Sequence, residues 1–168
     1  MANTFELIAS TTLGSAAASI DFTSIPSTYT DLCIKLSVRC SDGANDRQMF
    51  MQYNGSASSK SSRVLRGSGS AASSYTSTDM ETGRVDGSGS TSNTFSNIEV
   101  YIPNYAGSNN KSASSDGVTE NNATGAFAEL AALLWSDSAA INRVTFTVDG
   151  GSNFVTNSTA YLYGVKNA

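Results

Sequence analysis

The sequence predicts an all-β fold: a two-sheet antiparallel sandwich, jelly-roll-like, built as a single domain over residues 1–168. Three observations carry that prediction. Short apolar runs alternate with period two, as strands with one buried and one wet face require. Turn signals separate those runs at spacings of roughly 8–15 residues. A chain of 168 residues can bury roughly 68–70% of its unfolded surface, enough for one core without disulfides or metals.

Residues 4–9 read as a first strand and residues 19–22 as a short second one, after which Pro26 breaks the pattern. The clearest strand is 31–40. There Leu32, Ile34, Leu36, Val38 and Cys40 alternate with Cys33, Lys35, Ser37 and Arg39. Residues 49–53 form another strand. Asn54-Gly55 closes it as a hairpin turn, and residues 63–66 are the expected return strand. Residues 67–94 are rich in Ser, Gly and Thr, with only Tyr75, Met80 and Val85 as large exceptions. That composition reads as a long surface excursion, or as an arm that orders against a partner.

Alternation returns at 94–102, through Ile98, Val100 and Ile102, and stops at Pro103. A second polar loop is expected to run to about Asp116. Residues 125–135 fit either a helix or a mostly buried strand. Strand is preferred because the run is short and its neighbours are β. Residues 141–149 follow, with Val144, Phe146 and Val148 facing in, and the last strand is 159–165. The expected total is eight or nine strands.

Charged residues make up 14% of the chain, the net charge is −4 and the pI is about 4.6. The ten Lys and Arg are scattered between Lys35 and Lys166. Nucleic-acid binding, which needs a basic patch, is therefore not expected. The first ten residues contain no Lys or Arg and no apolar core of a leader. No apolar run approaches the ~20 residues of a membrane helix, so no membrane contact is expected. Cys33 and Cys40 sit an odd number of positions apart on one strand, hence on opposite faces. Two free thiols suit synthesis in a reducing cytoplasm.

Chemistry is sparsely provided for. Without histidine the chain lacks the commonest general base and metal ligand. It has no Cys-x-x-Cys and no phosphate-binding loop motif. Glu99, Glu120 and Glu129 are the candidates for a glycosidase carboxylate pair, but Glu99 and Glu129 are expected on wet strand faces. Residues 42–46 offer oxygens without the ligand spacing of a calcium loop. Neither an enzyme nor a cofactor or metal is expected. Trp135 is assigned to the core or to a subunit contact. Tyr101, Tyr105, Tyr161 and Tyr163 fit half-buried packing near strand ends, with sugar stacking or protein anchoring as the alternative.

Several strings have a combined meaning. They are Ser24-Ile25-Pro26-Ser27-Thr28-Tyr29, Arg63-Val64-Leu65-Arg66-Gly67-Ser68-Gly69, Ile102-Pro103-Asn104-Tyr105-Ala106-Gly107, Ser115-Asp116-Gly117-Val118-Thr119-Glu120 and Tyr161-Leu162-Tyr163-Gly164-Val165. Together they resemble small virion structural proteins of tailed bacteriophages, across nearly the whole chain. The resemblance implies a β-sandwich on the virion surface, made in the host cytoplasm, with no catalytic motif to transfer. Because the first strand begins within a few residues of Met1, with no shaft before it, a capsid decoration (cement) protein is expected ahead of a fibre tip. Such a protein would be a homotrimer bridging subunits of the major capsid protein, or contacting other virion proteins. Pro103, Asn104, Tyr105, Tyr161 and Tyr163 are the expected partner contacts. The alternative is a tail-fibre tip or receptor-binding module that recognises a host surface glycan.

Overall fold

The structure is a computed structural model that describes residues 4–122 and 125–166. Among the described residues twelve strands form two antiparallel sheets, with one short 3-10 turn at Asp149–Gly151 and no α-helix. The larger sheet runs β1 (Phe5–Thr12), β12 (Thr159–Val165), β3 (Asp31–Val38), β8 (Ser96–Ile102), β9 (Lys111–Val118), β10 (Ala128–Trp135), β5 (Lys60–Gly67), β6 (Ala72–Ser77). The smaller runs β2 (Ser19–Phe22), β11 (Val144–Val148), β4 (Asp46–Tyr53), β7 (Met80–Asp86). The fold is the two-sheet β-sandwich that the alternating pattern predicts.

The core lies between the sheets. Leu32, Ile34, Leu36 and Val38 of β3, with Ile98, Val100 and Ile102 of β8, meet Met49, Met51, Val144 and Phe146 from the small sheet. Trp135 is buried with them, its ring edge-on to Tyr53 at 5.6 Å between centroids. Cys33 and Cys40 are both buried and free. Cys33 points away from the core, in register between Tyr163 and Tyr101, and burial pushes its thiol up to about 11.

Four expectations are corrected. The segment 67–94 is no flexible excursion, because it supplies β6 and the nearly buried β7. Two of its buried polar residues are satisfied internally: Glu81 accepts from Tyr75 (2.5 Å) and Gln48 (2.7 Å), and Thr82 donates to the Met49 carbonyl (3.2 Å). The polar loop expected before Asp116 is strand β9, where small residues alternate in and out of a crowded interior. Asn54-Gly55 makes the expected tight turn, with φ of 52° and 71° and Ser56 N–H donating to the Tyr53 carbonyl (2.8 Å). That turn does not close a hairpin. β4 pairs within the small sheet and β5 within the large one, so the turn carries the chain between sheets. Finally, β10 is a strand, but it is half buried rather than mostly buried.

Candidate functional site

β10 positions the surface of greatest interest. Its inward residues are Glu129, Ala131, Leu133 and Trp135; its outward ones are Ala128, Leu130, Ala132 and Leu134. In an antiparallel sheet one face is commonly wet, yet the outward side of this strand carries only Ala and Leu. The neighbouring strands add to the outer side. Leu65 of β5 pairs directly with Leu130, and Val118 of β9 pairs with Ala128. Leu65 is 53% exposed and Leu130 59%, with Val118 and Leu134 also open to solvent. Cross-strand neighbours of this kind lie close enough to form one continuous patch.

This patch is concave. A depression of about 400 Å³ is lined by Leu65, Gly67, Ala72, Val118, Ala128 and Leu130, with Asp116 at its side. A second, of about 620 Å³, lies across the Leu65–Leu130 pair, towards Arg63, Thr76, Ser114 and Ala132. The floor is backbone of a hydrogen-bonded sheet, so the shape is preformed. Apolar walls with one carboxylate and one guanidinium at the margins suit an apolar partner surface with a few oriented polar contacts.

The residues expected to touch a partner separate into three groups. Pro103 and Asn104 are exposed at the end of β8. Asn104 has φ 49° and its N–H donates to Asp31 Oδ1 (2.8 Å), so this turn is fixed. Tyr105 is fully buried, and its hydroxyl donates to the Pro26 carbonyl and accepts from Tyr29 N–H (3.4 Å). Tyr105 is therefore a core residue that pins the 26–29 loop, and the expectation that it contacts a partner is corrected. Tyr161 and Tyr163 of β12 share an outer-face depression of about 300 Å³ with Lys35, Ser37 and Asn97, which Pro103 and Asn104 do not line.

The three candidate carboxylates do not converge. Glu99 lies on the outer face, paired to Lys35 at 2.8 Å. Glu120 is exposed and accepts from Asn122 N–H (2.9 Å). Glu129 is buried between the sheets, so its expected wet-face position is corrected. Asp42 is occupied by its own fold. It accepts from Ala44 N–H (2.8 Å) and Ser152 (3.0 Å) and pairs with Arg47 (3.0 Å), which holds its carboxyl at about 2. Among the described residues no group of three or more Cys, Asp or Glu is placed to hold a metal ion.

The fold and this surface define a β-sandwich with a preformed apolar outer face. No protein-family model matches the sequence, and no curated protein matches it. Among solved structures, the chain is similar to the galectin LEC-6 of Caenorhabditis elegans, at 8% identity and a TM-score of 0.38, covering 91% of this chain and 94% of that one.

Proposed function

We propose that this chain is a non-enzymatic structural protein of a tailed-phage virion, a decoration protein that docks on the head through the outer face of β9, β10 and β5. The observation that carries the docking face is the exposed Leu65–Leu130 pair on a strand that keeps its one charge, Glu129, inside. Exposed aliphatic groups clustered on a rigid concave surface are what a protein interface buries. The virion assignment is supported by the resemblance of the quoted strings. Each docked copy would add modest buried area, and the regular lattice of the head would multiply it.

One observation favours a second reading, recognition of a host glycan. Tyr161, 38% exposed, stands with Tyr163, Lys35 and Asn97 around a shallow depression, a mixture of flat rings and amide suited to sugars. Gold-tagged antibody against this chain on intact virions separates the two. Gold spread over the head is the expected result. Gold confined to the tail or fibre tips overturns the decoration reading and favours the glycan one.

A further inference from the structure

Glu129 is the one charged side chain of β10, and at 5% exposure it lies between the two sheets. Neither of its carboxylate oxygens has a hydrogen-bond partner. Arg84 of β7 comes within 3.7 Å of it through Nε, but the same guanidinium is committed to Asp46 of β4 by a shorter contact. Arg66 of β5 lies over the rings of Phe127 (4.7 Å) and Tyr75 (5.3 Å), and Arg84 also lies over Phe127 (5.1 Å). Glu81 of β7 has its own donors, Tyr75 and Gln48. Asp46 and Glu129 thus share the Arg84 guanidinium, and Glu129 faces its Nε only at 3.7 Å, beyond hydrogen-bond distance, so that both its oxygens and that Nε stay without a hydrogen bond.

We propose that the folded chain carries Glu129 as the neutral acid, and that its ionisation is a pH-sensitive release in the contact between β7 and β10. A buried carboxylate with no hydrogen bond is costly, whereas the neutral acid is tolerated. Burial pushes this carboxyl up to about 7, against the pull of Arg84 and Arg66, and Glu81 and Asp46 reinforce the rise. An unfolded glutamate loses its proton near 4.5, and the folded one holds it to about 7. Between these values the folded state binds more protons, so stability falls as pH rises through the interval. The contribution is fully present below about 4.5 and gone above about 7. Glu6, Asp21 and Asp42 act in the opposite sense, because Lys166, Arg143 and Arg47 hold their carboxyls low, so their contributions fade in acid. Glu129 thus favours the folded state in acid, and these three carboxylates favour it towards neutrality. β10 also carries Leu130 and Leu134 outward, so its loosening would reach the outer face, a consequence that rests on the docking reading.

The test uses the isolated full chain and is independent of any partner. Carboxyl-carbon NMR of the five glutamates from pH 4 to 9 should show one titrating near neutrality and absent in Glu129→Gln. Urea unfolding should show the unfolding constant of the native chain rising about a hundredfold between pH 5 and 8.5, because each tenfold gain in proton affinity on folding changes that constant tenfold. The Glu129→Gln variant should lose most of that rise. If every glutamate of the native chain titrates in the ordinary range, or stability climbs from pH 5 to 8.5, the proposal is overturned. If Glu129→Gln fails to fold, the native titration alone decides.

Discussion

Replacing Arg39 with alanine is expected to destabilise the isolated chain by about 2–3 kcal/mol, the upper part of the range for losing hydrogen bonds made by a charged group. Arg39 follows β3 and is nearly buried. Its Nη1 donates to the carbonyls of Thr91 (2.9 Å) and Thr94 (2.8 Å) and to Thr94 Oγ1 (3.0 Å). Its Nη2 donates to the carbonyls of Gly87 (2.7 Å) and Ser90 (3.2 Å). One guanidinium therefore organises the whole 87–94 connection, which has almost no apolar side chains of its own. Asp86 supports it from the other side, accepting from Asn121 (2.6 Å), Ser96 (3.1 Å) and Ser90 (3.3 Å). Alanine removes the donors to the Thr94 and Ser90 carbonyls and leaves those of Gly87 and Thr91 with only the Ser90 and Thr94 groups of the same turn. Lysine should recover only part of the loss, because one ammonium cannot reproduce the planar fork. Urea unfolding of the three proteins checks this. A loss below about 1 kcal/mol for Arg39→Ala, the net worth of a single ordinary hydrogen bond, would mean that water replaces the fork without cost.

The second large effect is on docking. The pair Leu65→Thr and Leu130→Lys is expected to weaken attachment to stripped virions by about tenfold to a hundredfold. Burying a leucine fully is worth roughly 1.5–3 kcal/mol, and about half of each side chain is still open in the free chain, so the two losses sum to about 1.5–3 kcal/mol. Stability of the isolated chain should barely move, because both side chains are already more than half exposed and surface changes usually stay within about 0.5 kcal/mol. Threonine suits a strand, and a lysine at 130 stands beside Asp116 in register. Co-sedimentation with stripped particles, alongside urea unfolding, separates the two quantities. Unchanged attachment would place the contact elsewhere on the sandwich.

Much of this architecture is legible in the sequence, and what is illegible has a physical reason. β3, β8 and β11 bury Leu, Ile, Val and Phe at alternate positions, so period two reveals them directly. β9 buries Lys111, Ala113, Ser115 and Gly117 instead. These residues fit because Lys111 Nζ donates to the carbonyls of Gly107 (2.7 Å) and Asn109 (2.5 Å), and Ser115 Oγ donates to that of Thr82 (2.6 Å). Such satisfaction is set by distant strands and leaves no local pattern. β7 escapes detection in the same way, through Glu81 and Thr82. The hairpin expected at Asn54-Gly55 fails because a turn dipeptide specifies a local reversal and says nothing about which sheet receives the next strand.

For the site, the missing signal is present in β10. Ala-Leu-Ala-Ala-Leu-Leu, apart from its one glutamate, is apolar on both faces of a strand, which marks Leu130 and Leu134 as candidates for covering by a partner. The turn and the tyrosines draw attention instead, and Tyr105 shows the hazard. An aromatic beside an exposed Pro-Asn turn can be the residue that anchors the turn to the core.

The most direct test of the docking face is cysteine footprinting, since the native thiols Cys33 and Cys40 are buried. Ser74→Cys and Ser114→Cys place a probe on the outer face of the large sheet, and Ser19→Cys places one on exposed β2 of the small sheet. Each variant is treated with a maleimide, once as isolated protein and once on the virion. Ser74→Cys and Ser114→Cys are expected to react freely in the isolated chain and to be shielded on the particle, while Ser19→Cys reacts in both. Equal reaction of all three on the particle would contradict docking through this face.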